Sequence, residues 1–301
     1  MRRALREFGT VHEVLLAFFG MVRLGTSKTA LELIRMEKML RVKQALNRKY
    51  KKIFMTTHIP LDREPGKYIW IYWGQGVSSA PQPVKKAISS VRATFGAEKV
   101  ILLDDSTFTN YVDMPKFILE KKHKGIIPEA HISDLLRMEL LIQRGGTWMD
   151  ATTLIDKSIL NNKTLLNVMN SKLFFFQNLR PGQMGNSIFL SSWFISAWTN
   201  SPSLIVTRNV LYHYWRHTNR LADYFLFHII WHISLSYLPD ELDKMYKIPN
   251  SLPLLLLYSL NSTYDPKNVE MIFTRMPIQK ITYKGYEQAE ENTTFRNIFS
   301  E

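Results

Sequence analysis

Cysteine is absent from the 301 residues, which removes a disulfide framework, a thiolate metal site and a cysteine nucleophile together. Any metal must be held by oxygen or imidazole. Also missing are G-x-x-x-x-G-K-[ST], G-x-G-x-x-G and G-x-S-x-G, so kinase-like, dinucleotide-dependent and hydrolase-elbow readings lack their minimal parts. No stretch reaches the roughly 18 consecutive apolar residues that span a bilayer. The nearest, Tyr224 to Leu238, contains His228 and His232 and reads as a buried helix. Arginines followed by the apolar run Val14 to Val22 imitate a secretory leader. Glu7 and Glu13 interrupt the approach, however, Arg23 follows at once and no A-x-A-like cleavage site is present. The N-x-[ST] sites at Asn162, Asn261 and Asn292 are accordingly read as chance.

What is present suffices for a sizeable core: 46% of the residues are hydrophobic, which argues for a globular chain. The formal charge of +13 is unevenly spread, because 13 Lys and Arg against four Glu up to Lys52 place +9 of it in the first sixth of the chain. Within that sixth, Leu33, Met36 and Leu40, broadened by Met39, Val42 and Leu46, recur at helical spacing beside Arg35, Lys38, Arg41 and Lys43. Residues 1–52 are therefore expected to form a basic amphipathic helical segment. It either packs on the main domain or meets an anionic membrane surface, where each well-placed Lys or Arg adds about 1 kcal/mol. Nucleic acid is not expected as a partner, because the aromatics concentrate after residue 172, away from the basic run.

From Lys67 the pattern becomes that of an α/β domain. "KYIWIYWGQG" reads as a buried strand ending at glycine; a helix with Pro81 and Pro83 near its start closes at Gly96; "KVILLDDS" is a second strand ending in carboxylates. Ligands of such sheets bind outside the carboxyl ends of the strands, which places Trp73, Gly74, Gln75, Asp104 and Asp105 on one rim. "AHISDLLRMELLIQRGG" predicts a helix with Ser133 or Asp134 near its N-cap, ended by Gly145 and Gly146. "TWMDATTLI" and "LFFFQNL" read as strands, and "RPGQMGN" as a turn. Helices are expected over Ser191 to Asn200, Ser203 to His217 and around Asp223 to Leu238, and the tail from Ser251 returns with "MPIQKITYKG".

Asp150 lies among Trp148, Met149 and Leu154, where an unpaired carboxylate is costly. It needs a cation, a set of N–H donors or a proton. A single Asp suffices for Mg²⁺ or Mn²⁺ when a substrate phosphate supplies further oxygens; the plainer reading is a carboxylate capping a turn. Asp134 and Arg137, three apart on one helical face, form either a surface pair or a polar couple that orients a polyhydroxylated ligand. His228 with His232, and His213 with His217, have a zinc-compatible spacing without a third ligand, and packing among aromatics is the better account of them.

The ordered match over "AHISDLLRMELLIQRGGTWMDATTLI" resembles the signature of family-32 and capsular polysaccharide glycosyltransferases, S-D-x-x-R followed by a hydrophobic helix and G-G-x-x-x-D-x-[DT]. "YIWIYWGQG", "VILLDDSTFTNYVDMPKFI" and "DYFLFHIIWHI" extend the resemblance over roughly Lys67 to Leu238. It implies a GT-A fold, a Rossmann-like mixed α/β sheet flanked by helices, over residues 66–301. The donor-binding half would be about 66–160 and the acceptor-side helical half about 170–301, with the basic helical extension in front. The implied activity is retaining transfer of a hexose from a nucleotide sugar, UDP-galactose or UDP-glucose first among donors, to a lipid-linked oligosaccharide acceptor in surface polysaccharide synthesis. The implied location is cytoplasmic, peripheral on the inner face of the cell membrane.

By the same resemblance Asp150 takes the first position of D-x-D and binds Mn²⁺ or Mg²⁺, while Asp134 and Arg137 contact the donor sugar and diphosphate. Gly145 and Gly146 let the backbone approach the donor, and Trp73, Gly74 and Asp104 hold the nucleotide. Lys284 adds charge, Asp223 grips a sugar, and Gln279 stands where a metal-binding His is often found. The departure is Thr152, a neutral hydroxyl in place of the second carboxylate, which leaves more of the metal's coordination to the diphosphate. It also keeps open a non-catalytic glycan- or membrane-surface-binding protein of the same fold.

Overall fold

The computed structural model describes residues 11–179 and 189–300. Two helices lead, α1 (Val11–Leu24) and α2 (Lys28–Thr56), the second capped by the Ser27 side chain, which accepts from the Ala30 amide. Then follow β1 (Ile69–Tyr72), α3 (Gln82–Phe95), β2 (Val100–Leu103), α4 (Lys116–His123), α5 (Glu129–Arg144), β3 (Gly146–Met149) and β4 (Thr153–Ile155). After α6 (Lys163–Met169) come β5 (Leu173–Gln177), β6 (Leu190–Ala197), α7 (Pro202–His217) and α8 (Leu226–Ser236). Short helices then lead to β7 (Ile278–Lys280) and a last helix over Thr294–Phe299.

The chain is a mixed α/β protein with a central five-stranded sheet in the order β2-β1-β3-β6-β5, and a separate antiparallel pair, β4 with β7. β1 runs parallel to β2 on one side and to β3 on the other, whereas β6 is antiparallel to both β3 and β5. From β1 the chain first crosses to one neighbour and later returns to the other, so the strand order reverses at β1. A crevice opens at the carboxyl ends of strands at such a reversal. Helix α5 sits behind it, with Leu135, Leu136, Met138, Leu140 and Leu141 fully buried. A helix apolar on all sides belongs in a core, and each of these side chains contributes about 1.5–3 kcal/mol of burial. That surplus lets α5 also carry the buried polar residues Asp134, Arg137 and Glu139.

Three expectations need correction. Ser191 to Asn200, expected as a helix, contains the longest strand, β6. It lies between β3 and β5 and is buried on both faces, so it lacks the alternation that marks a strand. Helix α5 starts at Glu129 behind Pro128, which puts Ser133 and Asp134 in its second turn and not at its cap. In α2 the expected stripe holds only in part: Met39, Val42 and Leu46 turn toward the core, but Leu33 and Leu40 face solvent, and Ile34, Lys38, Tyr50 and Phe54 are buried in their place. The apolar face turns around this long helix because it meets two neighbours. Ala30 and Ile34 lie toward α1, where a Cβ on Gly20 would come within 2.9 Å of Ile34. Tyr50 and Phe54 meet His213 and Tyr237 of the main body. The "RPGQMGN" turn lies outside the described residues.

Candidate functional site

Helix α5 ends in a turn that the two glycines make possible. Gly145 and Gly146 have φ of +63° and +98°, a region that L side chains enter at a cost. A Cβ on Gly146 would lie 2.3 Å from the Tyr68 carbonyl oxygen, and one on Gly145 2.9 Å from the Gly66 amide nitrogen. What approaches these glycines is the chain's own backbone. They do not line the cleft, so their expected contact with a donor is replaced by a packing role. The turn then folds β3 back along α5. The eight residue steps from Gly145 back to Arg137 cover about 12 Å at the helical rise, and the four from Gly146 to Asp150 cover about 13 Å as strand. Arg137 and Asp150 therefore meet at the same level.

Their meeting is dense in charge. The Arg137 guanidinium donates to the Ser192 carbonyl at 2.6 Å and to its hydroxyl at 2.8 Å, and lies over the Trp148 ring. It stands 3.4 Å from Asp150 and 3.5 Å from Asp134. Asp150 Oδ1 accepts from the Trp148 indole at 3.0 Å, and Oδ2 accepts from the Lys280 ammonium at 2.8 Å. The same ammonium donates to the Thr152 hydroxyl. Burial pushes the Asp150 carboxyl up, but Lys280 and then Arg137 outweigh it and hold the group below the ordinary carboxylate value. Burial acts likewise on Asp134 and is outweighed by Arg137 and then His131. Both carboxylates are ionised at neutral pH.

Around this cluster opens a cleft of about 800 Å³ at the carboxyl ends of β1, β2 and β3. One wall is Tyr72, Trp73, Gly74 and Asp105; another is Tyr224, Phe225 and His228; a third is Lys280 to Lys284. Trp73 meets the Tyr283 ring edge-on at 5.4 Å. Two buried atoms of this lining have no hydrogen-bond partner, the Trp73 indole nitrogen and His228 Nδ1. Burial lowers the His228 imidazole to about 4, so it is neutral at physiological pH.

The cleft thus gathers Asp134, Arg137, Asp150, Thr152, Trp73, Gly74 and Lys284 from the expected residues. Besides the two glycines, it leaves out three others. Asp104 caps the turn after β2, accepting from Ser106 and Thr107, and its neighbour Asp105 faces the cleft instead. Asp223 pairs with the buried Lys38 at 3.2 Å and accepts from the Phe225 amide. It ties α2 to the loop that presents Tyr224 and Phe225. Gln279 is fully buried and its amide is satisfied by the Leu256 amide and the Leu252 and Met276 carbonyls. Lys280, Tyr224 and Phe225 are not singled out in the sequence, and His228 reads there only as half of a zinc-spaced pair packed among aromatics. For Lys280 a signal existed, since side chains alternate along a strand and Gln279 and Lys280 cannot face the same way.

Whether a divalent cation fits follows from the donor set. The candidate ligands are one carboxylate, already bonded to an ammonium, and one neutral hydroxyl bonded to the same ammonium. Among the described residues no three His, Asp or Glu side chains converge on one point. A dication on Asp150 would sit on the order of 4–5 Å from the Lys280 ammonium, a repulsion of roughly 7 kcal/mol at an effective dielectric of about 20. The residues present do not fit Mn²⁺ or Mg²⁺. The paired histidines offer no better set: His228 faces the cleft, whereas His232 lies 3.1 Å from the Lys43 ammonium.

The sequence profile of a family described as capsular polysaccharide synthesis protein matches residues 26–299. The chain is also similar to the O-glycosyltransferase PaGT of Phomopsis amygdali, 26% identical over 115 residues, which is 35% of this chain and 28% of that protein. It therefore spans little more than a quarter of that relative's length. Among solved structures, the PaToxG glycosyltransferase aligns with 69% of this chain and 85% of its own, at 16% identity and a TM-score of 0.36.

Proposed function

The chain belongs to the family of capsular polysaccharide synthesis proteins, and from that premise we propose that it is a retaining glycosyltransferase of the GT-A, family-32 type. It moves a hexose from a nucleoside diphosphate sugar, UDP-galactose or UDP-glucose first, to a hydroxyl of a lipid-linked oligosaccharide. The observation that carries this is the content of one cleft. Two cations, Arg137 and Lys280, are held in place by Asp134 and Asp150 beside two buried polar atoms that lack partners. A diphosphate sugar supplies the anion for the first pair and oxygens for the second, and native proteins rarely leave such buried atoms unmet.

In the reaction the bond from the sugar's anomeric carbon to the diphosphate oxygen breaks and a bond from that carbon to the acceptor oxygen forms. The acceptor's proton passes to the departing diphosphate, so no separate base is needed. Negative charge grows on the leaving group, and cations already fixed in place stabilise it without reorganising. Arg137, braced by Ser192 and Trp148, serves this role, with Lys284 at the rim. Trp73 takes the nucleotide side. Tyr224 and Phe225, partly exposed at the opposite wall, offer the apolar ring faces against which an acceptor sugar packs.

The acceptor's lipid places the protein peripherally on the inner face of the cell membrane. Among the described residues no helix is long and apolar enough to cross a membrane. Support for a surface contact comes from α1, which exposes Leu15, Phe18, Phe19 and Val22, while α2 packs its aromatic side on the main body. Apolar side chains beside basic ones suit an anionic lipid surface. The proposal is tested by a thermal-shift screen of UDP and GDP sugars: one class raises the melting temperature of the natural protein and does not raise that of Arg137→Ala. Equal shifts in both, or none from any donor, contradict the reading.

A further inference from the structure

The positive charge at the cleft is part of the chain itself. Lys280 Nζ lies 2.8 Å from Asp150 Oδ2 and also bonds the Thr152 hydroxyl, so a single ammonium joins one carboxylate oxygen of the D-x-T triplet to its hydroxyl. The side chain arrives there by register. β7 pairs with β4 so that Lys280 lies opposite Thr153 and Gln279 opposite Leu154. Alternation sends Gln279 into the core and Lys280 into the cleft. The Arg137 guanidinium stands on the other oxygen of Asp150, 3.4 Å away. Both oxygens of the one carboxylate are therefore engaged by cations, and the hydroxyl at position 152 adds no charge to attract another.

We infer that Lys280, with Arg137, takes the place of a divalent cation, and that this protein binds its nucleoside diphosphate and transfers the sugar without a metal. Lys280 is then a diphosphate-contacting residue, held toward the cleft by Asp150 and Thr152 until an anionic ligand shares its protons. An ammonium with three N–H donors can keep its bond to Asp150 and still donate to a phosphate oxygen. This rests on the reading of the cleft as a nucleotide-sugar site.

The experiment is calorimetric titration of the full chain with UDP and GDP, first in EDTA and then with Mn²⁺ or Mg²⁺, followed by donor turnover under the same conditions. The inference expects affinity and turnover to be the same within about twofold in chelator and in metal. It expects Lys280→Ala to weaken nucleotide binding by about tenfold or more, with Lys280→Arg retaining most of it. Lys280→Gln, which keeps the length and a donor, replaces Lys280→Ala if the latter does not fold. Binding that vanishes in EDTA and returns with Mn²⁺ overturns the inference and leaves the glycosyltransferase reading standing. No nucleotide binding under any condition overturns both.

Discussion

Lys280 and Asp150 hold each other across the turn, so truncating either one strands the other's charge. Removing one partner of a fully buried pair costs about 3–5 kcal/mol. Here the side chains are 19% and 25% exposed, and water recovers part of that loss. Asp150→Ala leaves Arg137 and Lys280 without their shared counter-charge and the Trp148 indole without its acceptor, for an expected loss of roughly 2–3 kcal/mol. Lys280→Ala leaves Asp150 still beside Arg137 and Trp148, so roughly 1–2 kcal/mol is expected. The double variant removes both charges and keeps the Arg137 to Asp134 pair. Its loss is expected to fall short of the sum of the two single losses by about 1–2 kcal/mol. Urea unfolding of the four proteins resolves this better than melting does. For 301 residues the unfolding entropy is about 0.6 kcal/mol/K, so 2 kcal/mol moves the midpoint by only about 3 °C. Additivity within about 0.3–0.5 kcal/mol would show that the ammonium and the carboxylate act independently, and the charge cluster on which the site is built would be refuted.

The remaining expectations concern pH and the membrane. His228 stays neutral in the folded chain down to about 4, whereas an unfolded imidazole protonates near 6.5. Between those values the unfolded state binds more protons, so stability falls as pH drops from about 6.5 to 4, by up to roughly 3 kcal/mol. His228→Gln should flatten that limb, and a limb unchanged in this variant places the titration elsewhere. Asp134 and Asp150, held low, lose stability in a separate window, below the unfolded carboxylate value of about 3.9. On α1, Phe18→Ser together with Phe19→Ser removes two exposed rings, each worth about 1.5–3 kcal/mol when buried in lipid. Co-sedimentation with anionic vesicles should drop at least tenfold, and unchanged sedimentation counts against a membrane role for this helix.

Much of the framework was legible because its signals are local. β1 and β2 announce themselves as apolar runs ended by glycine or carboxylates, α3 and α5 are closed by Gly96 and Gly145, and Asp150 stood out as a carboxylate among large apolar residues. The failures share a different cause, tertiary context. β6 is sandwiched in the sheet, and its double burial erases the alternation that distinguishes strand from helix. Gln279 and Lys280 exchange roles through a one-residue register: alternation puts the two on opposite faces, but which of them meets the cleft is fixed only by the pairing of β7 with β4. Asp223 seemed poised for a ligand because Lys38, 185 positions earlier in the chain, was invisible as its partner. The glycines were read as room for a donor, yet the space they leave is taken by Gly66 and Tyr68.

Release of nucleoside diphosphate tests the central claim most directly. The full chain is incubated with UDP-galactose, UDP-glucose and GDP sugars, and the products are separated by chromatography. One donor is predicted to be cleaved by the natural protein and about a hundredfold or more slower by Asp150→Ala. No release from any donor, or equal release by Asp150→Ala, would contradict the account.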